Sequence, residues 1–125
     1  MTKNFNIKEF QCNCGCKTPE NLKHNILVLA NQLQVLRDYV KKPIILTNGY
    51  RCPKHNKAVG GVSNSQHVLG KAADIKIPGL SPFAVAKIIE NLVSEGKMMQ
   101  GGVGIYNTFT HYDIRRVKSR WDFRK

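Results

Sequence analysis

Two histidines and one aspartate have the types and spacing of a metal site. His67 and Asp74 are separated by six residues, and His111 follows in the segment Phe109–Asp113. Structural zinc usually has four protein ligands, whereas catalytic zinc has three and keeps one position for water or substrate. Two neutral imidazoles and one carboxylate leave Zn²⁺ with a net charge of about +1, which favours the ionisation of water. The three residues therefore predict a zinc centre that activates water near neutral pH.

The segments around these residues can bring them together. A glycine-containing turn follows His67, and Ala72–Ile77 then alternates like a strand, so a loop histidine and a strand aspartate can converge. His111 and Asp113 fall on one face of a second predicted strand. Asp113 could accept a proton from the reacting water, or it could orient a ligand histidine without changing its protonation. The sequence leaves both roles open.

Apolar spacing and end signals predict two helices. Leucine and isoleucine recur at intervals of three and four from Leu22 to Leu36, which indicates a helix from Pro19 to about Val40. Ser81 and Pro82 are typical of an N-cap and a first helical residue, and this helix should run to about Ser94.

Strands and loops fill the rest of the predicted scaffold. The segment 44–48 is typical of a buried strand, and it leads into a loop that carries Arg51, His55 and Asn56. The polar, glycine-rich segment 57–70 is predicted to be the loop that delivers His67. Asn107 and Thr108 should form a hairpin turn before the strand of His111.

Three segments resemble the M15 zinc peptidases, in the branch that includes D-Ala-D-Ala carboxypeptidases and murein endopeptidases. They are Asn48–Asn56, Ser65–Asp74 and Gly102–Asp113. The opening Phe5–Cys12 and the closing Arg120-Trp121 resemble small phage-encoded or prophage-encoded members, so the likeness covers nearly the whole chain. It implies one α+β domain over residues 1–125, related to hedgehog signalling domains, with an N-terminal helix packed on a small antiparallel sheet.

The resemblance also implies a role for individual residues. The ligands of a Zn²⁺ cofactor would be His67, Asp74 and His111. Arg51 would bind a substrate carboxylate or the developing oxyanion, as a fixed guanidinium fork can do. Several relatives have an acidic general base two or three residues before the last ligand histidine, where this chain has Phe109 and Thr108. Asp113 is therefore the candidate base.

Four further side chains are candidates for substrate binding. Ser65 and Gln66 flank a ligand and could bind substrate amides, although capping of the loop would explain them equally well. Tyr106 and Trp121 could line a cleft for peptide stems, and packing in the core or at its rim is the alternative.

Four cysteines form a separate group. Cys12, Cys14 and Cys16 occupy alternate positions, and Cys52 follows Arg51. They could hold a second, structural metal ion, although paired zinc ligands usually have two to four residues between them and this run has one. A packing role or a disulfide, for example of Cys52 with one of the other three, stays open.

Composition limits the classes of function. The chain has 125 residues, of which 42% are hydrophobic, and this is enough for one core and an expected monomer. Its formal charge of +12 predicts attraction to polyanions, but no nucleic-acid recognition motif accompanies the scattered basic residues. No apolar run reaches the roughly 18 residues of a membrane span, and no secretory signal is recognisable. We expect synthesis in the cytoplasm and action on the cell wall after release or delivery.

These observations favour a zinc peptidase that hydrolyses peptidoglycan stem peptides or cross-links. A D,D-carboxypeptidase or endopeptidase is preferred by resemblance, with a role in phage or prophage lysis. An L-alanyl-D-glutamate endopeptidase is the first alternative. The second is a non-catalytic wall-binding or structural phage protein on the same fold, and a weaker third is a basic nucleic-acid binder.

Overall fold

The computed structural model describes residues 1–62 and 64–125. Two short 3₁₀ helices, Ile7–Phe10 and Glu20–Leu22, precede the first long helix. The α-helices are α1 (Lys23–Val40), α2 (Pro53–Ala58) and α3 (Pro82–Ser94). The strands are β1 (Ile45–Asn48), β2 (Ala72–Lys76), β3 (Gly102–Ile105), β4 (Thr110–Asp113) and β5 (Ser119–Asp122).

The five strands form one mixed sheet in the order β1-β2-β4-β3-β5. Neighbours are antiparallel except β5, which runs parallel to β3. The predicted antiparallel sheet is therefore wrong at this edge. Strand β5 has the polar sequence Ser-Arg-Trp-Asp, which lacks the apolar alternation that identifies a strand. Its extended conformation therefore depends on its pairing with β3.

The two long helices cover the core. The predicted first helix is confirmed: its buried face comprises Ile26, Leu29, Ala30, Leu33 and Leu36. It ends where Lys41 adopts a left-handed φ of 55°. The second is confirmed as α3, with the Ser81 hydroxyl accepting from the Ala84 amide. Helix α3 contacts β3 and β4, and α1 packs beside α3.

Two local predictions near Arg51 are corrected. Strand β1 was predicted to be buried, but it is half-exposed. It is the outermost strand of the sheet and pairs with β2 along one side. His55 and Asn56 lie in α2, where a loop was predicted. Pro53 occupies the first turn of this helix, and the Cys52 sulfur accepts from the His55 amide in place of a hydroxyl or carboxylate cap.

The N-terminal segment is anchored beneath the strand end of β1. Phe10 is fully buried, and its carbonyl accepts from the Tyr50 amide at 2.8 Å. A Cβ atom on Gly49 would lie 2.6 Å from the Cα atom of Phe10, so only glycine fits between the two backbones.

Within the described ranges, none of the helices has the length and apolar character that a membrane crossing requires.

Candidate metal centre and cleft

The sheet register brings two of the three predicted ligands face to face. Asp74 on β2 is paired directly with His111 on β4, and the two side chains approach within 3.2 Å. His67 comes from the turn before β2, and its Nε2 atom lies 3.3 Å from the same Asp74 oxygen. One donor atom from each residue lies within 4.8 Å of the other two, and the side chains are buried. The predicted set of metal ligands therefore converges.

Each histidine has its outer nitrogen fixed by an oxygen atom. His67 Nδ1 lies 2.8 Å from the Gly49 carbonyl, and His111 Nε2 lies 2.7 Å from Asp113 Oδ2. A ring nitrogen that donates to an oxygen leaves the other nitrogen as a lone-pair donor, so these contacts select the tautomer that binds metal. His67 Nε2 and His111 Nδ1 are the nitrogens left facing Asp74.

Asp113 is fully buried and receives donors on both carboxylate oxygens. Oδ1 accepts from the Gly102 amide at 2.9 Å and from the Arg115 amide and Nε at 3.1 and 2.9 Å. Oδ2 lies 2.7 Å from both Arg115 Nη2 and His111 Nε2. Gly102 is required for this arrangement, because a Cβ atom there would lie 2.3 Å from the carboxylate. The Asp113 carboxylate is therefore held rigidly against His111.

These contacts shift the pKa values of the central groups in opposite directions. Burial would raise the pKa of the Asp74 carboxyl, but hydrogen bonds with His111 and His67 hold it well below its usual range. Burial would lower the pKa of His111, but its contacts with Asp113 and Asp74 raise it. The site therefore favours a positive charge between ionised carboxylates, which a metal cation can supply in place of a proton.

A cleft of about 560 Å³ opens above the three ligands, and Arg51, Ser65 and Gln66 line one side of it. Arg51 Nη2 donates to the Ser65 hydroxyl at 3.3 Å, and that hydroxyl also accepts from the His67 amide. Among the described residues, neither Arg51 Nε nor Gln66 Oε1 has a hydrogen-bond partner, although both atoms are buried. Both atoms belong to residues that line the cleft.

Aromatic side chains also line the cleft. Trp121 lies 5.0 Å from the His111 ring between centroids, and its Nε1 donates to the Tyr106 hydroxyl at 3.0 Å. Gly104 on β3 is paired with His111 on β4, and a Cβ atom on Gly104 would lie 2.3 Å from the indole ring of Trp121. Tyr106 stacks on Phe109 across the predicted hairpin turn, at 4.4 Å. The predicted cleft residues Tyr106 and Trp121 therefore do line the cleft.

Sequence reasoning missed two groups at this site. Arg115 clamps Asp113 with its guanidinium and lies over the Trp121 ring at 5.3 Å. The segment His111-Tyr112-Asp113-Ile114-Arg115 offers a signal for it, because residues two apart on a strand share a face. The Gly49 carbonyl that orients His67 has no such signal, since every residue carries a backbone carbonyl.

The four cysteines converge at a second place, on the other side of Arg51. Sulfur separations are 3.3 Å for Cys12 and Cys14, 3.5 Å for Cys14 and Cys52, and 3.8 Å for Cys12 and Cys52. All four sulfur atoms, including that of Cys16, lie within 4.8 Å of one another, and all are free thiols. Hydrogen bonding, first from the Cys16 backbone, lowers the pKa of the Cys14 thiol to about 7.

Two comparisons with known proteins agree with this geometry. A family model described as Peptidase M15 matches residues 3–113. The zinc D-Ala-D-Ala carboxypeptidase of Streptomyces albus G is 34% identical over 94 residues, which is 70% of this chain and 37% of that protein. The chain thus spans little more than a third of the length of this relative.

Proposed function

The chain belongs to the M15 family of zinc peptidases, and on that premise we propose that it hydrolyses peptide bonds in peptidoglycan stem peptides or cross-links with Zn²⁺ as cofactor. A D,D-carboxypeptidase or D,D-endopeptidase is the preferred activity, because the Streptomyces relative is named for D-Ala-D-Ala. An L-alanyl-D-glutamate endopeptidase is the alternative within the same reaction class.

The convergence of His67, Asp74 and His111 carries the proposal. Two nitrogen donors and one carboxylate form the usual three-residue set of a catalytic zinc, and the outer nitrogens are already fixed by oxygen atoms. When bound, zinc supplies Lewis acidity and lowers the pKa of water in its open position. The three side chains meet below the cleft, so that position would face substrate.

Arg51 is suited to hold the negative charge of the substrate or of the transition state. Its Nε atom has no partner among the described residues, while Nη2 is fixed by Ser65. Arg51 lines the cleft, so a carboxylate or oxyanion there could accept from its guanidinium. Gln66 also lines the cleft, where its side chain could contact a substrate amide.

We propose that Asp113 positions His111. Its role as general base stays a prediction, but five hydrogen-bond contacts to its two oxygens support an orienting role better. The donors hold the pKa of Asp113 well below its usual range, although burial acts against them. A carboxylate that is so fully engaged is a poor proton acceptor and a good fixed partner for an imidazole.

Digestion of purified sacculi tests the proposed activity. We expect release of defined muropeptides, loss of release with chelator, and recovery when zinc is added back, with the cleaved bond identified by mass spectrometry. The Asp74→Asn variant should be inactive, and Asp38→Asn, which changes an exposed carboxylate on α1, should behave as wild type. Intact sacculi after incubation with the zinc-loaded protein would contradict the proposal.

A non-catalytic wall-binding protein is the second candidate, and one observation favours it. Among the described residues that line the cleft, Asp74 is the one carboxylate, and it belongs to the ligand set. No described acid in the cleft is thus free to act as base. Co-sedimentation with sacculi without muropeptide release, in wild type and Asp74→Asn alike, would support this candidate.

Three finer expectations stay proposals. They are the single domain over residues 1–125 with a likeness to hedgehog domains, the role in phage or prophage lysis, and the action on the wall as a monomer after delivery from the cytoplasm. The charge of +12 supports adsorption to an anionic wall. Analytical ultracentrifugation and lysis of cells that co-express a membrane pore would test the last two.

A further inference from the structure

We propose that Cys12, Cys14, Cys16 and Cys52 bind a second Zn²⁺ ion in a closed, structural site. This inference is independent of the reaction proposed for the cleft. It rests on how the four sulfur atoms are arranged and on how the backbone brings them together.

The sulfur separations match the edges of a zinc-thiolate tetrahedron. With a Zn–S bond of about 2.3 Å, the edge of a regular ZnS₄ tetrahedron is about 3.8 Å. Three of the six separations are 3.3, 3.5 and 3.8 Å, close to this value, and none of the six exceeds 4.8 Å. Four mutually adjacent sulfur atoms also exceed what a single disulfide needs, since a disulfide joins two.

A tight turn brings the first three cysteines together despite their unusual spacing. The Gly15 amide donates to the Cys12 carbonyl at 2.9 Å, which closes a turn through Asn13 and Cys14. Gly15 then has a left-handed φ of 86°, a conformation that favours glycine. This turn brings the three thiols together although a single residue separates each consecutive pair.

Backbone amides support negative charge on two of the sulfur atoms. The Cys52 amide donates to Cys12 Sγ at 3.3 Å, and the His55 amide donates to Cys52 Sγ at 3.4 Å at the start of α2. Thiolates are the form of cysteine that binds metal, and amide donors stabilise them. Four thiolates fill all four positions of Zn²⁺, so the site would have no place for substrate and would act in folding.

The site would connect the N-terminal segment to the cleft. Cys52 follows Arg51, whose amide donates to the His67 carbonyl at 3.0 Å. A metal that fixes Cys52 against Cys12 would therefore also fix the backbone from which Arg51 reaches the cleft. Zinc at the cysteines would thus help to order one wall of the cleft without touching substrate.

Metal content and cobalt spectroscopy in a variant that keeps all four cysteines test this inference. The His67→Ala/His111→Ala variant removes two donors of the first site. Purified under reducing conditions with zinc, it should hold one zinc ion per chain, and wild type should hold two. With Co²⁺ in place of zinc, it should show the intense near-ultraviolet charge-transfer absorption of a thiolate-bound metal, and bound zinc should protect its cysteines from alkylation.

A variant without two of the cysteines serves as the control, and two results would contradict the proposal. Cys14→Ser/Cys16→Ser should lose the thiolate absorption and one zinc ion while it keeps the metal of the histidine site. Reduced protein of the histidine variant that binds neither zinc nor cobalt would overturn the proposal. So would a disulfide among these cysteines that persists when the reduced, metal-free protein is supplied with zinc.

Discussion

The two clusters of metal donors differ in number, burial and support. The histidine site has three donors on paired strands and an adjoining turn, and the exposed fractions of His67, Asp74 and His111 are 3%, 5% and 7%. The cysteine site has four donors on surface segments, of which Cys12 is buried and Cys14 is exposed. Three donors beneath a cleft leave a position for chemistry, whereas four leave none. The three-donor site is therefore suited to catalysis, and the four-donor site is suited to holding two segments of the chain together.

One short segment belongs to both regions. The Gly49 carbonyl orients His67, the Arg51 amide donates to the His67 carbonyl, and the Cys52 amide donates to Cys12 Sγ. A disturbance in the cysteine cluster can therefore reach the cleft through the backbone of residues 49–52. Variants that act on one region alone, or on both, can test how far the two are independent.

Removal of a ligand from the histidine site should have the largest effect. Asp74→Asn replaces the anionic donor that contacts both histidines, so zinc affinity and hydrolysis should fall by more than the ~10–100-fold that outer partners typically contribute. Zinc titration and muropeptide release measure the two losses. The cysteine site should keep its metal, and a loss of both zinc ions would show that the regions fold as one unit.

Arg51→Met should separate substrate stabilisation from metal binding. If the guanidinium holds the developing oxyanion, its removal should lower the rate of hydrolysis by ~10²–10³-fold, with zinc content unchanged at both sites. Lys54→Met removes an exposed cation three residues away and is the control for a general effect of charge. Equal rates in wild type and Arg51→Met would remove Arg51 from the proposed machinery.

Asp113→Asn distinguishes positioning from proton transfer. As an orienting partner of His111, Asp113 should contribute ~10–100-fold to zinc affinity at the histidine site, and cobalt absorption of the cysteine site should not change. As a general base, it should contribute ~10²–10⁴-fold to the rate with unchanged zinc affinity. Asp122→Asn, in an exposed pair with Arg124, is the control.

Local patterns and the resemblance to M15 peptidases together predicted the histidine site, although Asp74 and His111 are 37 positions apart. The strand alternation around His111 puts it on one face with Asp113, and the structure places the two side chains 2.7 Å apart. The apolar face of α1 and the hairpin turn at Asn107-Thr108 were predictable for the same reason. Each of these features depends on residues that lie close together in the sequence.

The rest depends on contacts between distant segments. Strand β5 exists because β3 pairs with it and because Gly104 leaves room for the Trp121 ring, and neither condition is visible within residues 119–122. The cysteine cluster joins residues 40 positions apart, so spacing alone left metal, disulfide and packing open. The mixed sheet was missed for this reason as well.

Gly49→Ala should disturb both regions through the segment that they share. The added Cβ would lie 2.6 and 2.8 Å from the Cα and carbonyl oxygen of Phe10, so the two backbones must separate. Overpacking of this kind costs about 1–3 kcal/mol in the free energy of unfolding, which urea denaturation measures. Because the Gly49 carbonyl orients His67, zinc affinity at the histidine site should fall as well.

Gly96→Ala is the matched control, because it changes stability without touching either region. Gly96 has a φ of 75° and open space around its Cβ position, so alanine there should cost about 1–2 kcal/mol through backbone strain alone. Its zinc affinities should equal those of wild type at both sites. Gly49→Ala could be destabilised to the same extent as Gly96→Ala and still bind zinc as tightly as wild type. In that case the segment 49–52 would not couple the two sites, and the cysteine site would act on folding alone.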